Sequence, residues 1–148
     1  AKGCGLAGLV QWVGPLRRAP LARFFSLHQV GVFPSIYPEA FGIVAAEMQA
    51  CGLALLSSGV GGAAELVEDG RTGLLFRAGD GSHLAQQLLR LVQNPDLLRR
   101  LRAEGRQRVQ AHFSVDLAAQ QLEQLWMGTA PQPEGLATNA ASRGSVTF

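Results

Sequence analysis

Two carboxylates, Glu39 and Glu47, frame the segment of the chain with the clearest potential for chemistry. Between them, Phe41-Gly42 breaks the chain direction, because glycine permits a sharp turn, and an apolar pattern predicts a helix from Ile43. Backbone amides at the start of a helix attract phosphate, and carboxylates accept hydrogen bonds from hydroxyl groups. The segment therefore suits a ligand that carries both phosphates and hydroxyls, such as a nucleotide-sugar.

Strand patterns and helix patterns alternate along the chain, which predicts an α/β fold with a parallel sheet and Rossmann-like layering. Strands are predicted over residues 10–13, 30–33, 54–57 and 74–76. Helices are predicted over residues 20–27, 43–51, 63–67 and 95–111. A further helix is predicted to begin after Asp80 or Ser82 as its cap, and a last helix runs from Ser114 to near Met127. Four strands are about half of a usual doubly wound domain.

Side-chain patterns add detail to the later helices. Leu84, Leu88, Leu91 and Val92 are predicted to share the buried side of the helix that follows Asp80. Asn94-Pro95 is a helix start, with asparagine as the cap and proline as the first residue. From Gly128 the composition changes to proline, glycine and small polar residues, so we predict a domain over residues 1–127 and a disordered tail over residues 128–148.

The composition excludes several classes of protein. The 148 residues are 47% hydrophobic with a net charge of +2, which fits a globular domain and does not suggest a nucleic-acid binder. Cys4 and Cys51 form no metal or disulfide motif, so a reduced, cytoplasmic setting is expected. No apolar run approaches the roughly 20 residues that span a bilayer. The chain begins at Ala1 without methionine, and we expect a piece of something longer.

The run from Val10 to Met127 resembles the C-terminal, donor-binding domain of the group 1 (family 4) glycosyltransferases, which have the GT-B fold. The features that carry the resemblance stand in order at compatible spacing: Val10-Gln11-Trp12-Val13-Gly14, Phe33-Pro34-Ser35, Glu39-Ala40-Phe41-Gly42 with Glu47, Ala50-Cys51-Gly52, Gly61-Gly62 with Glu65, Glu68-Asp69-Gly70 with Gly73, and Gly79-Asp80.

The resemblance implies retaining transfer of a sugar from a nucleotide-sugar to an acceptor that the sequence does not identify. Glu39 would be the catalytic residue beside the donor sugar, and Glu47 would bind the ribose hydroxyls. The other implied donor-binding residues are Phe41, Gly42, Ile43 and Val44, through backbone amides near the phosphates, and Gly14 and Leu16, which line the base. The family usually works without a metal, and the sequence has no Asp-x-Asp pair. No cofactor is expected.

Some family features differ or are absent. Ala40 replaces the usual glycine before Phe41, so that turn must avoid a positive φ. Leu53-Ala54 follows Gly52, where the family often has a proline. The basic pair that grips the diphosphate and the acceptor-binding N-terminal domain would lie before Ala1, so we expect the isolated chain to be inactive. A non-catalytic α/β module that binds a nucleotide or a partner protein stays the alternative, and a nucleotide-dependent oxidoreductase is a weaker one.

Four other features have a weaker claim to function. Gly3 to Gly8 matches Gly-x-Gly-x-x-Gly, but it precedes a predicted strand instead of following one. The Gly59–Gly62 loop is a candidate for close approach to a ligand, or a plain turn. Histidines near helix ends suit solvated or capping roles. Arginines on one face of the predicted helix 95–111 form a solvated face, or contact anionic lipid at the inner face of a membrane. The histidines are His28, His83 and His112, and the arginines are Arg99, Arg102 and Arg106.

Overall fold

The computed structural model describes residues 5–6 and 8–129, and the chain divides into two compact units, residues 1–114 and residues 115–148. The first unit contains, in chain order, α1 (Arg18–Ser26), β1 (Val30–Phe33), α2 (Ile43–Ala50), β2 (Ala54–Ser57), a 3₁₀ helix (Gly62–Leu66), β3 (Leu74–Leu75), α3 (Gly81–Gln93) and α4 (Pro95–His112). The second unit contains α5 (Val115–Trp126).

The three strands form one parallel sheet in the order β1-β2-β3. Val30 is paired with Ala54 and Phe33 with Ser57, and Leu56 is paired with Leu74. Parallel neighbours need a crossover connection, which α2 supplies between β1 and β2 and the 3₁₀ helix supplies between β2 and β3. The predicted α/β fold with a parallel sheet is confirmed.

The central strand β2 is buried on both faces of the sheet. Successive side chains of a strand point to opposite faces, and β2 supplies Ala54 and Leu56 to one apolar cluster and Leu55 to another. The first cluster is completed by Leu74, Phe76, Leu91, Leu97 and Leu101, and the second by Ala45, Ala46, Leu66, Val67 and Val109. Helices therefore cover both faces, and α4 packs into both clusters.

A buried amide joins α2, α4 and the turn before β3. Gln49 is fully buried, and its Nε2 donates to the carbonyl of Thr72 at 2.8 Å. Gly105 of α4 faces this pair, since a Cβ at that position would lie 2.6 Å from Thr72 O and 3.1 Å from Gln49 Nε2. The missing side chain thus lets the α4 backbone lie directly against the turn.

The predicted starts of α3 and α4 are confirmed. Asp80 caps α3 by accepting from the His83 amide at 2.8 Å, so Asp80 and not Ser82 is the cap. Asn94 caps α4 by accepting from the Leu97 amide at 2.9 Å, and Pro95 follows it. The placement of Val92 on the buried side of α3 was wrong, since its side chain is 75% exposed.

The predicted strand over residues 10–13 is wrong. This segment has irregular backbone and is exposed, with Trp12 at 89%. A strand needs a neighbour for its backbone hydrogen bonds, and the sheet joins only β1, β2 and β3 within the described residues. β3 is also one residue shorter than the predicted 74–76. β1 and β2 have the predicted bounds, and the helix boundaries differ by at most two residues.

In the second unit, α5 starts directly after Ser114, close to the predicted start, and it has exposed apolar side chains that include Leu122, Leu125 and Trp126. Residues 130–148, most of the predicted tail, lie outside the described residues, so the predicted boundary at 127 stays a prediction. Across residues 5–6 and 8–129, no helix combines the length and the apolar character that crossing a membrane requires.

Candidate functional site

The Glu39 loop, residues 34–42, lies at the carboxyl edge of the sheet. It follows the end of β1, and the segment 58–62 follows the end of β2. Parallel strands place these two ends side by side, and the loops contact each other through backbone groups. The Gly62 amide donates to the Glu39 carbonyl at 2.8 Å, and Glu39 forms an isolated parallel bridge with Gly61. Ligands of open α/β sheets bind at this edge.

Gly61 and Gly62 make that contact possible. A Cβ on Gly61 would lie 2.4 Å from the carbonyl oxygen of Glu39, and one on Gly62 would lie 2.1 Å from that of Ala40. Gly61 also has a φ of 67° and a ψ of −147°, a region essentially restricted to glycine. The close approach expected of the Gly59–Gly62 loop is therefore to the backbone of the Glu39 loop.

The Glu39 side chain is half-buried and held at one oxygen. Ser35 Oγ lies 3.1 Å from Glu39 Oε1 and 3.0 Å from the carbonyl oxygen of Tyr37. In the described part of the chain, no hydrogen bond reaches Glu39 Oε2. The carboxylate thus has one oriented oxygen and one that is available to a hydroxyl group of a ligand.

Gly42 turns the loop into α2. It is the residue before the helix, with a left-handed φ of 84°, and its carbonyl accepts from the amides of Ala45 and Ala46. No residue other than glycine has a positive φ among those described, so Ala40 avoids it as predicted. No side chain caps α2. The first amides of a helix lack partners within it, so the backbone at Ile43 and Val44 can donate to a ligand.

The exposed face of α2 continues from this start. Ile43 is 67% exposed and Val44 43%, and Glu47 follows one turn after Ile43 and is half-buried. The opposite face of the helix is buried at Ala45, Ala46 and Gln49. Residues four apart lie on the same helix face, so Glu47 shares the exposed face with the open amides.

The remaining predicted donor residues differ in exposure. Phe41 packs its ring against Phe113, with centroids 5.3 Å apart, so only its backbone is suited to a ligand. Gly14 is exposed and Leu16 half-buried in the irregular segment before α1. The structure thus joins Glu39 to Gly42 and α2 through one continuous segment. The binding roles of Glu39, Glu47, Gly14 and Leu16 stay predictions.

Sequence reasoning missed two serines. Ser58 lies directly after β2, and its Oγ donates to the carbonyl of Ser35 at 2.6 Å. Ser35 in turn contacts the Glu39 carboxylate. A hydroxyl four residues before a loop carboxylate, and another at the end of the neighbouring parallel strand, were the signals available in the sequence.

A separate polar cleft of about 210 Å³ lies between α4 and the turn before β3. Its charged groups pair with one another: Arg71 contacts Glu68 at 2.9 Å and Glu104 at 3.1 Å, and Arg108 also pairs with Glu68. These pairs brace α4 against the turn. The cleft therefore has a structural explanation and is not chosen as the ligand site.

Two of the three histidines contact the backbone near helix ends. His83 Nδ1 accepts from the Arg77 amide at 3.0 Å, and His28 Nδ1 lies 2.7 Å from the carbonyl of Phe24. His112 is the last residue of α4 and is exposed.

Two of the three arginines predicted to share one face of α4 make contacts within the protein. Arg102 donates to the Gly52 carbonyl at 2.7 Å and Arg99 pairs with Asp96, whereas Arg106 is exposed and has no hydrogen bond or ion pair to the described residues. Cys51 is a free, half-buried thiol, and burial, followed by the charge of Glu47, raises its pKa. Cys4 and the Gly3–Gly8 pattern lie mostly outside the described residues.

Comparison with known proteins identifies the family. The profile of the family described as "Glycosyl transferases group 1" matches residues 1–108. The D-inositol 3-phosphate glycosyltransferase of Streptomyces coelicolor is 38% identical over 115 residues, which are 78% of this chain and 25% of that protein. The chain thus spans about a quarter of the length of the curated relatives it matches.

Solved structures agree with this result. Sucrose-phosphate synthase of Thermosynechococcus elongatus is 38% identical, with a TM-score of 0.80 over 86% of this chain and 32% of its own. Anabaena HepE, solved in complex with UDP and glucose, is 25% identical, with a TM-score of 0.79 over 86% of this chain and 34% of its own. The predicted GT-B relationship is confirmed. This chain belongs to the group 1 glycosyl transferase family.

Proposed function

We propose that the protein is a retaining glycosyltransferase that moves a sugar from a nucleotide-sugar donor to an acceptor, and that this chain supplies part of the donor site. The observation that carries the proposal is the continuous segment from Glu39 to Glu47. It begins with a carboxylate at the sheet edge, passes through the left-handed Gly42, and ends on the exposed face of an uncapped helix.

The start of α2 suits the diphosphate of a donor. Its open amides and the positive end of the helix dipole favour negative charge. Negative charge grows on the diphosphate as the glycosidic bond breaks, and fixed donors that meet growing charge lower the barrier. The backbone amides of Phe41, Gly42, Ile43 and Val44 are assigned this role.

The two carboxylates are assigned to different parts of the donor. Glu39 lies in the loop and is assigned to the sugar, where positive charge develops in an oxocarbenium-like transition state. Glu47 lies on the helix and is assigned to the ribose hydroxyls, from which one carboxylate can accept two hydrogen bonds. Gly14 and Leu16 are assigned to the base. Anabaena HepE, whose solved complexes include UDP and UDP-glucose, makes a uridine nucleotide the first donor to test.

The proposal includes partners that this chain does not supply. Acceptor binding is assigned to an N-terminal GT-B domain, and the basic groups that grip the diphosphate are assigned to residues upstream of Ala1, so the 148 residues alone should not turn over a donor. Transfer is proposed to need no metal or other cofactor, because the sequence lacks an Asp-x-Asp pair. We also propose that the protein is cytoplasmic, with at most peripheral contact with the inner face of the membrane. No nucleic-acid partner is proposed.

A donor screen tests this function. The full-length protein would be incubated with a panel of nucleotide-sugars, with water as the acceptor of the sugar, with and without EDTA, and the nucleoside diphosphate released by hydrolysis would be measured. Turnover of one donor, retained in EDTA and lowered in Glu39→Gln, is expected. Glu123→Gln on α5 is a matched control, because Glu123 is exposed and outside the segment. Nucleotide binding without turnover of any donor would favour the non-catalytic module instead.

A titration of the 148-residue chain places the ligand. Amide NMR shifts are followed as UDP is added. We expect shifts that concentrate at residues 39–47, because the open amides of α2 would receive the phosphates. Shifts that concentrate at the charged cleft around Arg71 and Arg108 would contradict the assigned site.

A further inference from the structure

We propose that Ser35 and Ser58 are positioning residues that orient the Glu39 carboxylate toward the donor sugar. This inference rests on the proposed function and extends it to two hydroxyl groups with no role in that proposal. The two serines connect the carboxylate to the end of the central strand by consecutive hydrogen bonds.

The connection starts at β2, the most buried strand of the sheet. The Ser58 amide donates to the Phe33 carbonyl at 3.1 Å, which extends the pairing of β1 and β2 by one residue. Its Oγ donates to the Ser35 carbonyl at 2.6 Å. Ser35 is therefore fixed to the rigid part of the sheet although it lies in a loop.

Ser35 then selects the orientation of Glu39. Its hydroxyl carries one hydrogen and has two acceptors within reach, Glu39 Oε1 at 3.1 Å and the Tyr37 carbonyl at 3.0 Å. A charged carboxylate is a stronger acceptor than a carbonyl, so the hydrogen favours Glu39. The bond engages Oε1 and leaves Oε2 for the ligand.

The Glu39 backbone is anchored independently of its side chain. The Gly62 amide holds the Glu39 carbonyl at 2.8 Å, and this bond involves neither serine hydroxyl. Loss of the Ser35 hydroxyl should therefore free the carboxylate to adopt other rotamers while the loop backbone stays in place. An interaction with charge that develops in the transition state is sensitive to such a loss of orientation.

Kinetics on the full-length enzyme, with UDP-glucose as the probe donor, test the proposal. Ser35→Ala should lower kcat between about 10-fold and 100-fold, the range for one lost hydrogen bond to a charged group, with KM within about twofold. Ser35→Thr keeps a hydroxyl and should restore kcat. Ser26→Ala is the matched control, because the Ser26 hydroxyl donates to Arg23 O at the end of α1. Adding Ser35→Ala to Glu39→Gln should cost nothing further, because Ser35 acts through Glu39.

A second measurement distinguishes a positioning role of the serines from a general effect on folding. In the 148-residue chain, Ser35→Ala and Ser58→Ala should shift the ¹³C resonance of the Glu39 side-chain carboxyl, while hydrogen exchange at the Gly62 amide keeps its protection. An unshifted carboxyl resonance, or a kcat for Ser35→Ala within twofold of the wild type, would overturn the proposal. Lost Gly62 protection would also overturn it, by showing a general structural role. Full kcat in Glu39→Gln contradicts the proposed function itself, whatever the serines do.

Discussion

Replacement of Gly61 by alanine is expected to destabilise the protein more than any other glycine-to-alanine change at an exposed loop position with a positive φ. The matched control is Gly70→Ala. Both glycines have a positive φ, 67° at Gly61 and 75° at Gly70. A Cβ on Gly70 would meet no atom within 4 Å, whereas one on Gly61 would lie 2.4 Å from the Glu39 carbonyl oxygen. Gly61→Ala thus adds a steric conflict and the glycine-restricted ψ of −147° to the positive φ that both positions share.

The magnitude follows from these two contributions. A positive φ costs alanine about 1–2 kcal/mol in the left-handed helical region and about 1–3 kcal/mol in the glycine-restricted region of Gly61, and the stiffer unfolded chain offsets about 0.4–1 kcal/mol of either cost. Gly70→Ala should therefore cost about 1 kcal/mol. At Gly61 the conflict is with backbone atoms, so the loop must move. Overpacking adds about 1–3 kcal/mol, and loss of the bond from Gly62 to Glu39 adds about 1 kcal/mol. The total is about 3–5 kcal/mol.

Urea denaturation of the 148-residue chain measures both values, with circular dichroism as the signal. Amide NMR should also show that Gly61→Ala perturbs the resonances of the Glu39 loop, and UDP binding to the full-length enzyme should weaken. Equal losses of stability in the two variants would refute the reasoning, because they would mean that the loops separate at no cost.

Three further predictions concern the two carboxylates and the helix caps. Glu47→Gln in the full-length enzyme should mainly raise KM for the donor, whereas Glu39→Gln should mainly lower kcat; steady-state kinetics with the opposite pattern would reverse the assignments. Asp80→Ala should lower the urea midpoint. The bond from the His83 amide, followed by Arg77, lowers the Asp80 pKa. The difference between variant and wild type should therefore be full above about pH 5 and disappear as the pH falls through that pKa; a pH-independent difference would contradict this. Asn94→Ala should cost about 1 kcal/mol of unfolding free energy, and Asn94→Gly only a few tenths; equal losses in urea titrations would exclude a capping role.

Local signals in the sequence predicted much of the fold. Asn94-Pro95 starts α4 and Gly42 precedes α2 because caps and turns depend on a few neighbouring residues. The run 54–57 was predicted to be a strand, and its continuous apolar character is typical of a strand that is covered on both faces. These features need no knowledge of the rest of the chain.

Features that depend on distant partners were not predictable in the same way. Residues 10–13 have a strand composition, but a strand forms only where a neighbour accepts its hydrogen bonds. Gly61 and Gly62 were candidates for ligand contact, and only the fold reveals the Glu39 loop against them. Arg102 matched a basic surface, yet it donates to the Gly52 carbonyl 50 residues away in sequence. The carboxylates of the candidate site were found from their motif, whereas the serines that hold Glu39 required the strand pairing.

The close contact of Gly105 with the Gln49–Thr72 pair fixes the rotation of α4 about its own axis. One residue inserted before Gly105 shifts the following residues by about 100°, which would bring Glu104 against the buried amide in place of glycine. Insertions between Pro95 and Gly105 should thus be tolerated poorly, and insertions after Val109 would displace Phe113, which packs against Phe41. The fold keeps its helix register through one absent side chain at Gly105, and the ring contact of Phe113 with Phe41 fixes the chain just beyond the end of the helix.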